Sequence, residues 1–105
     1  MNNALQGKRF LLADDHAMVR LGFRCLLEGA GATVVGEAEN GENAVRLYAE
    51  LNPDVVVMDV SMPGIGGLAA LERLLAWDAK AKVLMLSAHN DDIVPVRALR
   101  LGARG

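Results

Sequence analysis

The sequence contains little of what holds small proteins together or ties them to membranes and nucleic acids. A single cysteine, Cys25, excludes an internal disulfide and a zinc site built from cysteines. No apolar run approaches the ~20 residues that span a bilayer, and no signal-peptide stretch opens the chain. The formal net charge is −2 and no basic run offers a surface for DNA or RNA. We therefore expect a soluble cytoplasmic domain without membrane or direct nucleic-acid contact.

Aromatic residues are also scarce, with one Trp, one Tyr and two Phe among 105 residues. A chain of this length holds one domain. Its composition, 52% hydrophobic and 23% charged, is that of a globular protein and not of a disordered one. The core must therefore be built from aliphatic side chains.

Short apolar runs alternate with stretches of helical periodicity. The runs are too short and too rich in β-branched residues for buried helices, and most do not alternate with polar residues, which is typical of strands covered on both faces. We predict strands at Phe10–Ala13, Thr33–Val35, Val55–Met58 and Val83–Leu86. Apolar residues at helical spacing predict three helices between them, with core-facing stripes at Val19, Gly22, Phe23, Leu26 and Leu27, at Ala44, Leu47, Tyr48 and Leu51, and at Leu68, Leu71 and Leu75.

Helix ends are marked by glycine and proline. Residues 29–31 are predicted to end the first helix and Asn52-Pro53 the second, and a fourth helix is predicted to begin at Asn90 or Asp91. The alternation of strands and helices predicts a parallel sheet with helices on both faces.

Acidic residues follow two of the predicted strands. Asp14 and Asp15 come after the first strand, and Asp59 comes after the third. One such residue alone is equally well explained as a turn or a helix cap. Three gathered carboxylates repel one another, and their oxygens suit Mg²⁺. If the two strands are neighbours, the sequence predicts a magnesium site.

Asp59 is the best candidate for a nucleophile at such a site, because aspartyl phosphate is a known covalent intermediate. It ends the most apolar strand, and the Gly-rich segment 62–67 after it permits a sharp turn. The hydroxyl of Ser87, after the fourth strand, is a candidate to hydrogen-bond a phosphoryl oxygen.

The chain resembles, along its whole length, the receiver domain of bacterial two-component response regulators. The resemblance rests on Asp14-Asp15-His16, on Asp59 within the segment 58–64, on Ser87-Ala88 and on Gly102-Ala103-Arg104-Gly105. The segment 14–22 is most similar to the NarL/FixJ subfamily, whose output is a LuxR-type helix-turn-helix domain. The family fold is flavodoxin-like (CheY-like), a doubly wound parallel sheet with strand order 2-1-3-4-5.

The resemblance implies a role for each matching residue. It makes Asp59 the phosphoacceptor in a domain that assists its own phosphorylation and dephosphorylation and is not an enzyme. Asp15, Asp59 and the Ser61 backbone carbonyl would bind Mg²⁺ (or Mn²⁺), with Asp14 acting through a water. Ser87 would be the switch hydroxyl and Ala88 the small residue beside it. Ser61 and His89 occupy the positions that tune hydrolysis.

The resemblance also implies parts that the sequence lacks. The family's phosphoryl-binding Lys, fifth strand and fifth helix would follow Gly105, and Lys80 and Lys82 precede the fourth strand and cannot replace that Lys. We therefore expect residues 1–105 to be a C-terminally truncated receiver domain, without the DNA-binding output domain. The expected partners are a sensor histidine kinase and a second copy, or a swapped segment, that covers the edge strand Val83–Leu86.

Three classes of function follow. The first is a phosphorylation switch that controls dimerisation and transcription. The second is a receiver-like interaction module that works without phosphorylation. The third, a haloacid-dehalogenase-like hydrolase, is disfavoured because those enzymes carry an acidic residue two positions after the nucleophile, where this chain has Ser61.

Three further residues receive structural interpretations. His16 is expected at a helix start and not as a metal ligand, because the site is built from hard oxygens. Cys25 is expected to pack among apolar residues. Trp77 is expected to end the third helix against the sheet or its edge.

Overall fold

The structure, a computed structural model, describes residues 5–86. The predicted fourth helix and the predicted site residues Ser87, Ala88 and His89 lie outside this range. The described elements follow one another as β1 (Arg9–Ala13), α1 (Ala17–Gly29), β2 (Thr33–Ala38), α2 (Gly41–Leu51), β3 (Val55–Asp59), α3 (Gly66–Trp77) and β4 (Val83–Leu86). Each of the predicted strands and the first three predicted helices is therefore confirmed. No helix within residues 5–86 has both the length and the apolar character needed to cross a membrane.

The four strands form one parallel sheet with the order β2-β1-β3-β4. This is the order that the family resemblance implies, and it confirms the doubly wound flavodoxin-like architecture. β1 and β3 are hydrogen-bonded neighbours in the middle of the sheet, and Ala13 of β1 is level with Met58 of β3. The ends of these two strands therefore lie side by side.

The sheet separates two apolar layers. On one face, α2 and α3 cover side chains such as Leu11, Val56 and Met85. On the other face, α1 covers Phe10 and Leu12 through Leu27 and the half-buried Phe23. Because successive side chains of a strand point to opposite faces, each central strand contributes to both layers. The core is aliphatic apart from Phe10 and Tyr48, as the composition predicts.

The helix ends on the α2 side follow the sequence signals. The Asn40 side chain accepts a hydrogen bond from the Asn43 amide at 2.8 Å and so caps the start of α2. Asn52 ends α2 in the left-handed conformation, with φ of 50°. The Arg9 guanidinium donates to the carbonyls of Leu51 and Asn52 at 2.9 and 3.0 Å, where a cation also offsets the helix dipole.

Several predictions about packing are wrong. Val19, Gly22 and Leu26, assigned to the core-facing stripe of α1, are exposed, Leu26 by 73%, and Cys25 is exposed as well. Trp77 does end α3, but it is 70% exposed and does not pack against the sheet. For α1 the reason is geometric: its contact with β1 and β2 is narrow, and no second helix flanks it within the described residues. Helical spacing marks an apolar face but not how much of that face a neighbour covers.

A partly buried hydrogen bond joins α2 to Asp78, the residue that follows α3. The Tyr48 hydroxyl donates to Asp78 Oδ2 at 2.8 Å. Burial, followed by the bond and charge of Asp78, raises the pKa of Tyr48 to about 12. The same bond lowers the pKa of Asp78. The fold therefore favours the neutral phenol beside the ionised carboxylate.

Replacing Tyr48 with Phe is expected to lower the free energy of unfolding at pH 7 by about 1 kcal/mol, the usual net value of such a bond. A tyrosine whose pKa is raised stabilises the fold fully below its unfolded pKa, about 10, and this contribution is lost as the pH rises toward 12. Urea unfolding of both proteins at neutral and alkaline pH measures the difference, which should shrink at alkaline pH.

Tyr48 is the single tyrosine in the sequence, so its ionisation can be followed directly by the ultraviolet absorbance of tyrosinate. We expect the native chain to titrate near pH 12 and the urea-unfolded chain near the ordinary value of about 10. Equal titration midpoints in the two states would contradict the buried bond.

Candidate functional site

The neighbouring ends of β1 and β3 bring three carboxylates together. Asp14 directly follows β1, and its amide donates to the Ala38 carbonyl of β2 at 2.9 Å, which fixes the chain where it leaves the sheet. Asp59 is the last residue of β3. Asp14, Asp15, His16 and Asp59 each place one possible ligand atom within 4.8 Å of the others. The predicted convergence of Asp14, Asp15 and Asp59 is therefore present.

Asp59 is the most constrained of these carboxylates, with 1% of the residue exposed. Its Oδ1 accepts a hydrogen bond from the Ser61 amide at 3.2 Å. Its Oδ2 is the one buried side-chain polar atom within residues 5–86 that has no hydrogen-bond partner. Burial raises the pKa of Asp59, the Ser61 amide opposes this rise, and the charges of Asp14 and Asp15 add to it. A buried carboxylate oxygen without a donor is costly unless a ligand completes it.

Asp14 and Asp15 share a contact that the sequence analysis missed. His16 lies at the start of α1 as predicted, in the N-cap position before Ala17. Its side chain, however, turns back to the acidic residues, with Nδ1 3.1 Å from Asp14 Oδ1 and 3.1 Å from Asp15 Oδ1. Its backbone amide also donates to Asp14 Oδ1 at 2.7 Å. The sign of this contact in the sequence is that Asp14, Asp15 and His16 follow one another directly after a strand.

An arginine pair on α1 supports the same strand end from outside. Arg20 donates to the Asp14 carbonyl at 2.6 Å and to Glu37 of β2 at 2.7 Å. Arg24, one turn further along α1, also pairs with Glu37, and the two arginines lower the pKa of that carboxyl, Arg24 more than Arg20. These bonds tie α1, β2 and the Asp14 backbone together. The spacing of Arg20 and Arg24 was visible in the sequence, but their shared partner was not.

The segment after β3 turns sharply, as its glycines predict. Gly64 and Gly66 have φ of 79° and 81°, values that favour glycine. Gly67, in the first turn of α3, lies so close to β3 that an added Cβ would lie 2.1 Å from the Asp59 carbonyl oxygen. The Gly67 amide also donates to the Val60 carbonyl at 2.9 Å. Close approach at Gly67 thus holds the backbone of Asp59 against α3.

The positions of Ser61, Lys82 and the end of β4 relative to Asp59 follow from the strands. Ser61 is exposed two residues beyond Asp59. Lys82 precedes β4 and its carbonyl accepts from the Val56 amide, so it lies at the opposite end of the strands from Asp59. β4 ends at Leu86, level with Asp59, directly before Ser87 in the sequence.

Asp14, Asp15, His16 and Asp59 together form an acidic pocket that includes one buried, unpartnered carboxylate oxygen. Ligands of open α/β sheets bind beyond the carboxyl ends of the strands, and this pocket lies at that edge. Its oxygen donors suit a hard divalent cation, which would neutralise the gathered charge. Fold and pocket together define a doubly wound α/β domain with an acidic candidate site.

Comparison with known proteins identifies the family. A model of the response regulator receiver domain matches residues 10–105, and the chain belongs to that family. The response regulator GacA of Pseudomonas aeruginosa is 45% identical over 98 residues, which cover 92% of this chain and 46% of GacA. The chain thus spans about half the length of this relative.

Solved structures agree with this assignment. A two-component response regulator of the LuxR family from Aurantimonas sp. SI85-9A1 superposes with a TM-score of 0.85 and 40% identity, over 93% of this chain and 71% of that one. The likeness to GacA and to this structure supports the predicted NarL/FixJ subfamily. A structure of the CheX-CheY-BeF3-Mg complex from Borrelia burgdorferi is also similar, with a TM-score of 0.86 and 27% identity, over 93% of this chain and 75% of that one.

Proposed function

We propose that the chain is a phosphorylation switch in which Asp59 accepts a phosphoryl group. The observation that carries the proposal is the buried Asp59 Oδ2 without a hydrogen-bond partner, next to two further carboxylates. A purely structural carboxylate would have satisfied both of its oxygens. The phosphodonor is a sensor histidine kinase or a small phosphorylated molecule.

Asp15 and Asp59, the Ser61 carbonyl and, through a water, Asp14 would hold Mg²⁺, with Mn²⁺ as a substitute. The oxygen donors fit this ion, and the similar CheY structure contains magnesium and the phosphoryl mimic BeF3. When bound, the ion supplies positive charge that offsets the carboxylates and the oxygens of the transferring group.

Asp59 Oδ2 would be the nucleophile in phosphoryl transfer, since Oδ1 already accepts a hydrogen bond from the Ser61 amide. A bond forms between Oδ2 and phosphorus as the bond from phosphorus to the donor's nitrogen or oxygen breaks, and the donor atom leaves with the electron pair. The reacting form is the ionised carboxylate. Burial and the neighbouring charges raise the pKa of Asp59, and a bound cation would oppose this rise.

The effect of phosphorylation would be transmitted by the residues that follow β4. Ser87 is proposed to turn toward the phosphoryl group, Ala88 to leave room for it, and Ser61 and His89 to set the rate of hydrolysis. Phosphorylation then shifts the population between two conformations and alters dimerisation. The output proposed for the full protein is transcription regulation by a helix-turn-helix domain beyond residues 1–105.

The partners proposed are the kinase and a second copy of the protein. β4 is the outermost strand of the sheet, and among residues 5–86 no strand pairs with its outer edge, where we propose that a copy or a swapped segment pairs. A receiver-like module that works without phosphorylation is not favoured, because it gives no reason to keep three repelling carboxylates at one strand edge.

The direct test is intact-mass measurement after incubation with acetyl phosphate and Mg²⁺. We expect the mass to increase by one phosphoryl group, and no increase when a chelator replaces Mg²⁺. Asp59→Asn should abolish uptake because an amide is not a nucleophile toward phosphorus.

Asp54→Asn is the matched control. Asp54 directly precedes β3, at the opposite end from Asp59, and its carboxylate accepts the Arg9 amide at 2.8 Å, a bond that an amide oxygen can keep. This variant should take up the group as the original chain does. Undiminished uptake by Asp59→Asn would refute Asp59 as the acceptor, and no uptake by the original chain would refute the switch.

A further inference from the structure

The acidic pocket contains one nitrogen donor in addition to its oxygens. His16 Nδ1 lies 3.1 Å from Asp14 Oδ1 and 3.1 Å from Asp15 Oδ1, and with Asp59 these residues form a set whose ligand atoms lie within 4.8 Å. The His16 side chain is 56% exposed, so its position near the carboxylates is not imposed by burial in the core. The imidazole nitrogen therefore faces the same space as the carboxylate oxygens.

Two of these separations equal the distance between neighbouring ligands on one metal ion. In an octahedral ion with bonds of about 2.1 Å, adjacent ligand atoms are about 3.0 Å apart. His16 Nδ1 lies at hydrogen-bonding distance from the two carboxylates, 3.1 Å from each, which matches this value. The buried and unpartnered Asp59 Oδ2 is an independent sign that the pocket is completed by a ligand.

A nitrogen donor changes which ion such a pocket prefers. Mg²⁺ prefers oxygen ligands and keeps several waters, so an imidazole adds little to its binding. Ni²⁺, Co²⁺ and Zn²⁺ bind imidazole well and exceed Mn²⁺ in affinity for mixed nitrogen and oxygen sites.

We propose that His16 is a further metal ligand, which makes the acidic pocket selective for an imidazole-binding divalent transition metal over Mg²⁺. The inference rests on the proposed function in one respect, that Asp14, Asp15 and Asp59 bind a divalent cation. It adds a specificity-determining residue to that site. The switch would then work with Mg²⁺ but respond to the supply of Ni²⁺, Co²⁺ or Zn²⁺.

The test is calorimetric titration of the full chain with Mg²⁺ and, separately, with Ni²⁺. His16→Asn is the informative variant, because the amide can keep a hydrogen bond to a carboxylate but is a poor ligand for Ni²⁺. We expect this variant to bind Ni²⁺ at least about tenfold more weakly, the scale on which changes around a metal site act, and to bind Mg²⁺ within about twofold of the original. The visible absorption of bound Co²⁺ should change as the nitrogen ligand is lost.

Asp54→Asn is the control, since it changes a carboxylate to an amide at the opposite end of β3 from the acidic pocket. It should leave the affinity for Ni²⁺ and the Co²⁺ spectrum unchanged. Equal Ni²⁺ affinity in His16→Asn and the original chain, or an equal loss of Ni²⁺ affinity in Asp54→Asn, overturns the proposal. An increase in Mg²⁺ affinity without a loss of Ni²⁺ affinity in His16→Asn also overturns it, because the imidazole would then compete with the ion.

The Mg²⁺ titration and phosphoryl uptake separate this inference from the proposed function. If the original chain binds Mg²⁺ and is phosphorylated but His16→Asn binds Ni²⁺ equally well, the switch stands and the His16 ligand is refuted. If Ni²⁺ binding depends on His16 but acetyl phosphate gives no mass increase, the metal ligand stands and the switch fails.

Discussion

Replacing Asp59 with Asn is expected to raise the free energy of unfolding at pH 7 while it abolishes phosphoryl uptake. The carboxylate is 1% exposed, one of its oxygens has no partner, and Asp14 and Asp15 lie beside it. The neutral amide removes the buried charge, and we expect a gain of about 1 to 3 kcal/mol, the cost of an unsatisfied buried polar group.

The gain should depend on pH in a defined direction. Because the pKa of Asp59 is raised in the folded chain, the folded state favours the protonated acid. Protonated Asp59 therefore contributes to the stability of the original chain below the unfolded pKa of about 3.9. This contribution to the free energy of unfolding is lost as the pH rises through the folded pKa. The difference between Asp59→Asn and the original should be small in acid and largest at neutral pH.

Urea unfolding at several pH values measures both effects. Asp54→Asn serves as the control, with an expected change within about 0.5 kcal/mol. Added Mg²⁺ should stabilise the original chain by mass action and Asp59→Asn much less. A variant less stable than the original at pH 7 would show that Asp59 is a stabilising structural carboxylate.

Replacing Gly67 with Ala is expected to destabilise the fold by about 3 kcal/mol, at the upper end for a methyl group forced into a packed site. The new Cβ would lie 2.1 Å from the Asp59 carbonyl oxygen and 2.7 Å from Val60 Cα. Both atoms belong to the backbone, so no side-chain rotation relieves the clash. Either α3 must move away from β3, or the backbone of Asp59 and Val60 must shift.

Gly22→Ala is the matched control, since Gly22 also lies within a helix but has nothing within 4 Å of an added Cβ. Alanine has the higher helix propensity, and this variant should be more stable by about 0.5 to 1 kcal/mol. Thermal and urea unfolding of both variants give the comparison. If the two substitutions have equal effects, close approach at Gly67 does not hold the segment in place.

The sequence predicted most of the fold because its signals are local. The apolar runs marked all four strands, although β2 continues to Ala38 where Val35 was the predicted end. Asn52-Pro53 and residues 29–31 marked the ends of two helices. The sequence predicted Leu26 and Cys25 wrongly because periodicity identifies an apolar face but not how much of it is covered.

At the candidate site, the sequence by itself determined which residues end the strands, because Asp14, Asp15 and Asp59 follow apolar runs. Only the tertiary structure decided that β1 and β3 are neighbours, since sheet order depends on crossovers and not on local sequence. That adjacency places Asp59 beside Asp14, buries it and leaves Oδ2 without a donor. It also brings His16 into the same pocket, a contact set by the direction of one side chain, which no spacing in a sequence specifies.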